Sequence, residues 1–150
     1  DFSSKPGFPN MYGLIGGEAN KIEPEKRMLS SMTPTIVEDL SGELFLVLGS
    51  PGGSTIITTV AQIAMNVIDY NMSLTEAVQS KRVHHQWIPD IIQIEERSLS
   101  EETLQELVSM GHDLRYRSPI GEANCIMYDK KLKLFHAVPD SRRGAFSTAY

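Results

Sequence analysis

The apolar residues of this chain change period several times, and each change marks an element. Residues 34–38 and 44–48 are short runs rich in apolar and β-branched residues, and the stretch 39–42 between them is turn sequence, which predicts a hairpin. Both runs are apolar enough to be buried on more than one face. From 54 to 70 the residues Ile56, Val60, Ile63, Ala64, Val67 and Ile68 recur at helical spacing. The Thr-Ile run at 55–59 is locally poor helix sequence, because β-branched side chains lose rotamer freedom in a helix. Length and period decide for a buried helix. Ser73 and Glu76 stand at capping-box spacing and open a second helix that runs to about Arg82. Residues 91–95 alternate as a strand does. Ser100 caps a third helix whose first turn carries Glu101 and Glu102 at its positive end. Its apolar face is Leu104, Leu107 and Val108, and Gly111 closes it. Strands follow at 113–117, 124–128 and 132–138, the last two joined by a turn at 129–131. Strands alternating with helices in this order predict a layered α/β or α+β fold, a mixed sheet with helices packed on it.

Residues 1–26 fit no period. Pro6, Gly7, Pro9, Gly13, Gly16, Gly17 and Pro24 break any helix or strand. Such a segment is either a frayed terminus or a functional covering. Tyr12, Leu14 and Ile15 suit a solvated tail poorly, and the glycines around them suit a shaped turn.

Composition narrows the function classes. At 150 residues the chain is long enough for one domain with a real core. Hydrophobic residues make up 41% and charged residues 22%, as in an ordinary globular domain. A net charge of -5 argues against a nucleic-acid face, and Lys130-Lys131 and Arg142-Arg143 are only short basic pairs. The single cysteine, Cys125, rules out an internal disulfide and lies in an apolar stretch that predicts a buried, inert thiol. No apolar run has the length of a transmembrane helix, and no signal peptide is visible.

Two places carry candidate chemistry. The run Gly49-Ser50-Pro51-Gly52-Gly53-Ser54 lies between a strand and a helix, where glycines leave backbone N–H groups bare in front of an anion. It lacks the lysine of a P-loop and the Gly-x-Gly-x-x-Gly of a dinucleotide site. Its register and Pro51 exclude a nucleophile elbow, so Ser50 is not a nucleophile. An oxyanion or carboxylate cradle remains, beside the plainer reading of a tight turn before a helix. The second place is Ser30-Ser31, two hydroxyls among apolar neighbours, which need polar partners in a ligand or in nearby backbone. His84, His85, His112 and His136 show no metal-ligand spacing and read as structural or surface residues, with no metal or cofactor expected.

In combination these segments resemble the C-terminal part of the small subunit of the γ-glutamyltranspeptidase family, nearly end to end. The resemblance is carried by Asp1-Phe2-Ser3, Asn10-Met11-Tyr12-Gly13-Leu14, Gly17-Glu18-Ala19-Asn20, Leu29-Ser30-Ser31-Met32-Thr33-Pro34, the glycine run, Arg82-Val83-His84-His85-Gln86-Trp87 and Asp140-Ser141-Arg142. It implies part of the αββα sandwich of the N-terminal-nucleophile hydrolases, and a single partial domain over 1–150. It implies cleavage of γ-glutamyl amides such as glutathione through a threonine acyl-enzyme, the threonine lying upstream of Asp1, so that this chain alone would be inactive. Gly52 and Gly53 would supply the oxyanion hole, Ser30 and Ser31 would hold the substrate α-carboxylate, and Asp1 would pair with its α-ammonium. Residues 6–17 would form a lid carrying Tyr12. Met28 stands where the family usually has Pro. The implied partners are the large subunit and the N-terminal strands of the small subunit, and exposed edges and faces in their absence would favour self-association. The implied location is periplasmic, secreted or cell-surface. The alternatives are a non-catalytic domain that binds a γ-glutamyl group or another anion, and a relative that processes poly-γ-glutamate.

Overall fold

A computed structural model describes residues 2–142, 144 and 146–147. In chain order the strands are β1 (Thr35–Glu38), β2 (Leu44–Gly49), β3 (Val83–His84), β4 (Ile92–Ile94), β5 (Leu114–Tyr116), β6 (Asn124–Asp129) and β7 (Leu134–Pro139), and the helices are α1 (Thr55–Ile68), α2 (Leu74–Gln79) and α3 (Glu101–Ser109). Four strands form an antiparallel sheet in the order β1-β2-β6-β7. The other three form a small mixed sheet, with β3 antiparallel and β5 parallel to β4. The expected layered α/β arrangement is present.

The hairpin forms because Asp39 accepts the N–H groups of Ser41 and Glu43 and closes the turn. α1 and α2 cover one face of the large sheet. There Leu46, Leu48 and Cys125 meet Val60, Ile63, Val67, Leu74, Ala77 and Val78, all buried. Each fully buried Leu, Ile or Val contributes about 1.5–3 kcal/mol, so this face is the core. The capping box of α2 is complete: Ser73 Oγ accepts the Glu76 N–H, and the Glu76 carboxylate accepts the Ser73 N–H. Ser100 caps α3 through the Thr103 N–H.

The opposite sheet face is bare. By register Ile36, Val47, Ile126 and Ala137 run across it side by side. Ile36 is 69% exposed, Ile126 43% and Phe135, on β7, 63%. Thus β1 and β2 are buried on one face here, not on more than one. Two other expectations change. α2 ends at Gln79 rather than near Arg82, because Ser80 turns extended and the Arg82 N–H is taken by the Glu95 carboxylate instead of a helical carbonyl. The expected apolar face of α3 is not buried, and Val108 lies exposed.

Where α2 meets the end of β7, four charged residues are sealed inside. Arg82 Nη2 lies 2.8 Å from Asp140 Oδ2. Arg142 Nη2 lies 2.7 Å from Glu95 Oε2, and its Nη1 lies 3.1 Å from Asp140 Oδ1. Three of the four hold the backbone of 120–123. Arg82 Nη1 donates to Ile120 O, the Ile120 N–H donates to Glu95 Oε1 and the Ala123 N–H donates to Asp140 Oδ2. Burial works to raise both carboxyls, but it is outweighed, and both are held below the ordinary carboxylate range. For Glu95 the opposing groups are Arg142 and the Ile120 and Arg82 N–H groups. For Asp140 they are the Ala123 and Arg142 N–H groups and the charge of Arg82.

Candidate active site

The glycine run turns sharply from β2 into α1. Gly52 has φ +141° and Gly53 φ +59°, in the region L side chains avoid. Their carbonyls point back into the helix start, where Gly52 O accepts the Thr55 N–H and hydroxyl and Gly53 O accepts the Ile56 N–H. Their own N–H groups have no acceptor among the described residues. This leaves two donors at the positive end of α1 turned away from the carbonyls. Space requires glycine as strictly as the dihedral does: a Cβ on Gly53 would lie 2.6 Å from the Tyr12 ring.

The turn is braced from the side. Ser50 Oγ donates to Pro51 O and accepts the Glu122 N–H. Its proton is therefore committed to the backbone, consistent with a serine that is no nucleophile. Gly121 packs against Gly52 and against Thr59 of α1, and a Cβ there would lie 2.3 Å from Thr59 Oγ1. The segment 120–123 is the one clamped by Arg82, Glu95 and Asp140. The buried charges thus hold the glycine turn through a short length of backbone.

Tyr12, Ser30, Ser31 and Gly53 line one cavity of about 440 Å³. Gly52 stands next to this lining. Asp1 lies outside the described residues. Residues 6–17 are shaped by their own bonds: Gly7 N–H to Gly16 O, Asn10 N–H to Leu14 O, and Asn10 Oδ1 accepting the N–H groups of Tyr12 and Leu14. The segment is thus a shaped turn with its own hydrogen bonds. The serine pair does not sit in an apolar interior, since Leu29 and Met32 on either side are exposed. Its place is set by Asn20, whose Oδ1 accepts the Leu29 N–H while its backbone O accepts the Ser3 N–H.

Three residues of the site escaped the sequence reading. Asn20 and Gly121 act on backbone remote in sequence, a role that leaves no local periodicity. Gln86 was legible only as part of a longer motif. The histidines are structural or surface residues, as expected: His84 is buried between Thr58 and Gln86, and His85 pairs with Asp90. Burial also pushes the Cys125 thiol up to about 11, so the thiol is inert at neutral pH.

A pocket lined by Gly53, two serines and a tyrosine, with the Gly52 N–H beside it, has the donor groups that a small carboxylate-bearing ligand needs. Comparison with known proteins points the same way. The sequence profile of the family described as γ-glutamyltranspeptidase matches residues 1–150. The chain is 47% identical over 137 residues to the glutathione hydrolase proenzyme of Escherichia coli (strain K12), a match that covers 91% of this chain and 23% of that protein. A variant of the γ-glutamyltranspeptidase of Helicobacter pylori superposes with a TM-score of 0.88 at 48% identity, over 95% of this chain and 77% of that chain. The Pseudomonas nitroreducens enzyme in complex with L-DON gives a TM-score of 0.88 at 40% identity, over 99% of this chain and 77% of that chain. The chain spans only 22–24% of the length of the first curated relatives.

Proposed function

This chain belongs to the γ-glutamyltranspeptidase family, and from that premise we propose that it supplies the acyl-binding half of an enzyme that cleaves γ-glutamyl amides such as glutathione. The observation that carries this reading is the convergence of Gly53, Ser30, Ser31 and Tyr12 on one cavity beside two unpaired backbone donors. In the proposed reaction the γ-carbonyl carbon is attacked by a threonine hydroxyl from the segment that precedes Asp1. The threonine's α-amine takes the proton and then gives it to the leaving amine. The carbonyl oxygen becomes an oxyanion, and the Gly52 and Gly53 N–H groups meet it. Preorganised donors of this kind contribute about 3–4 kcal/mol each in acyl transfer, because they need no reorientation as charge develops. Ser30 and Ser31 hold the α-carboxylate, Asp1 takes the α-ammonium, and Tyr12 closes the cavity against water. Water or an amine then releases the γ-glutamyl group.

The bare sheet face of Ile36, Val47, Ile126 and Phe135 supports a second part of the proposal. These residues are the docking face for the rest of the same precursor, the large subunit and the first strands of the small subunit.

The test is release of p-nitroaniline from γ-glutamyl-p-nitroanilide by the full-length protein that carries this chain. Turnover in the wild type that falls at least tenfold in kcat/KM in Ser31→Ala supports the reading. A self-cleaved wild type that does not turn over, or Ser31→Ala at full activity, overturns it.

A further inference from the structure

Tyr12 is held at two points. Its ring lies on Gly53, and its carbonyl accepts Nε2 of Gln86 at 3.0 Å. The second contact is the one hydrogen bond, among the described residues, from residues 6–17 to any residue after Asn20. Every other hydrogen bond of this segment among the described residues is internal to it or reaches back to the first twenty residues.

Gln86 does not choose its orientation alone. Its amide nitrogen donates to Tyr12 O and to Ile88 O, each at 3.0 Å, so its Oε1 must turn the other way. That oxygen lies 2.9 Å from His84 Nε2. An amide oxygen only accepts, so His84 Nε2 carries the proton. Nδ1 in turn lies 2.8 Å from the Thr58 hydroxyl on α1. His84 is 2% exposed and its ring cannot turn over without leaving both partners. Burial lowers its pKa.

We propose that Gln86 is the positioning residue that latches the lid over the pocket, with Thr58 and His84 fixing which way its amide points. This rests on the pocket reading above for its effect on turnover, but not for its effect on the lid. The latch has a polar tip that water can replace and a base anchored in the core. It is suited to opening at one defined bond while α1 and the glycine turn stay in place.

The experiment compares Gln86→Leu and Gln86→Glu with wild type in the full-length protein. Both lack the donor to Tyr12, while Glu keeps an acceptor for His84. Amide hydrogen exchange of residues 6–17 is expected to speed up about five- to tenfold in both, the size expected for one neutral hydrogen bond, with 58–67 unchanged. In γ-glutamyl-p-nitroanilide turnover KM is expected to rise by a similar factor, with kcat within about twofold. Unchanged exchange in the lid, or Glu behaving as wild type, overturns the latch. A wild type without turnover overturns the enzymatic reading, while the exchange result still decides the latch.

Discussion

The glycine turn and the lid face each other across one cavity and are built in opposite ways. The turn is short and is tied through Ser50 and Gly121 to a segment gripped by the buried charges of Arg82, Glu95 and Asp140. The lid is long, rests on its own Asn10 turn and, among the described residues, is bonded to the body of the chain by one hydrogen bond, with packing contacts of Tyr12 on Gly53 and Gly13 on Pro89. The difference teaches what each must do. Donors that stabilise an oxyanion work only if they are already aimed when charge develops, so they need rigid support. A cover must admit substrate and release product, so it belongs at the weakly held end of the stability range. Both are glycine-rich in sequence, and only the surroundings separate them.

The largest way to break this contrast is to attack the charges beneath the turn. Asp140→Asn leaves Arg82 and Arg142 short of a carboxylate inside the protein, where removing one partner of a buried pair costs about 3–5 kcal/mol. Denaturant unfolding of the full-length protein measures this, and the loss of donor alignment is expected to remove activity as well. The same network predicts acid sensitivity. Glu95 and Asp140 have depressed folded values, so their contribution is fully present above the ordinary carboxylate value of about 4 and is lost as pH falls through the folded values. Wild type is expected to lose stability steeply there, and Asp140→Asn to show a shallower dependence. An Asp140→Asn protein with wild-type stability would mean the charges do not support the turn.

Next in size is the donor turn itself. Gly53→Ala places a Cβ at φ +59° and into the Tyr12 ring at once. The expected loss is about 10²–10³ in kcat, the scale of losing one oxyanion donor, together with about 1–2 kcal/mol of stability from the strained backbone. Loss of stability without a kinetic effect would make the turn structural, no different in kind from the lid.

Much of the molecule was legible from the chain. Period and capping gave α1, α2 and α3 and most strands, since these rest on local chemistry: Ser73 with Glu76, Ser100 with Thr103, Asp39 in its turn. The turn at Gly52 and Gly53 was legible as well, because these glycines stand between strand and helix. What stayed hidden was long-range. The end of α2 depends on Glu95 capturing the Arg82 N–H across thirteen positions, and no pattern near residue 80 encodes it. The exposure of the second sheet face is set by what packs on it, which no period within the strands records. The latch from Thr58 through His84 to Gln86 joins three elements by side chains that look unremarkable one at a time.

The smallest effect expected sharpens the comparison most, because it tests the brace without touching a donor or a charge. Ser50→Ala deletes the hydroxyl that accepts the Glu122 N–H and donates to Pro51 O, and adds no atom. One neutral hydrogen bond and a satisfied N–H are lost, which amounts to about 1–2 kcal/mol. Because the glycine turn is the rigid partner, that loss is expected in kcat, about tenfold, with KM for γ-glutamyl-p-nitroanilide little changed. The lid variants at Gln86 are expected to show the reverse, a raised KM with kcat nearly intact. If Ser50→Ala instead raises KM and spares kcat, the turn is as adaptable as the lid, and alignment of its two N–H groups comes from the helix start alone.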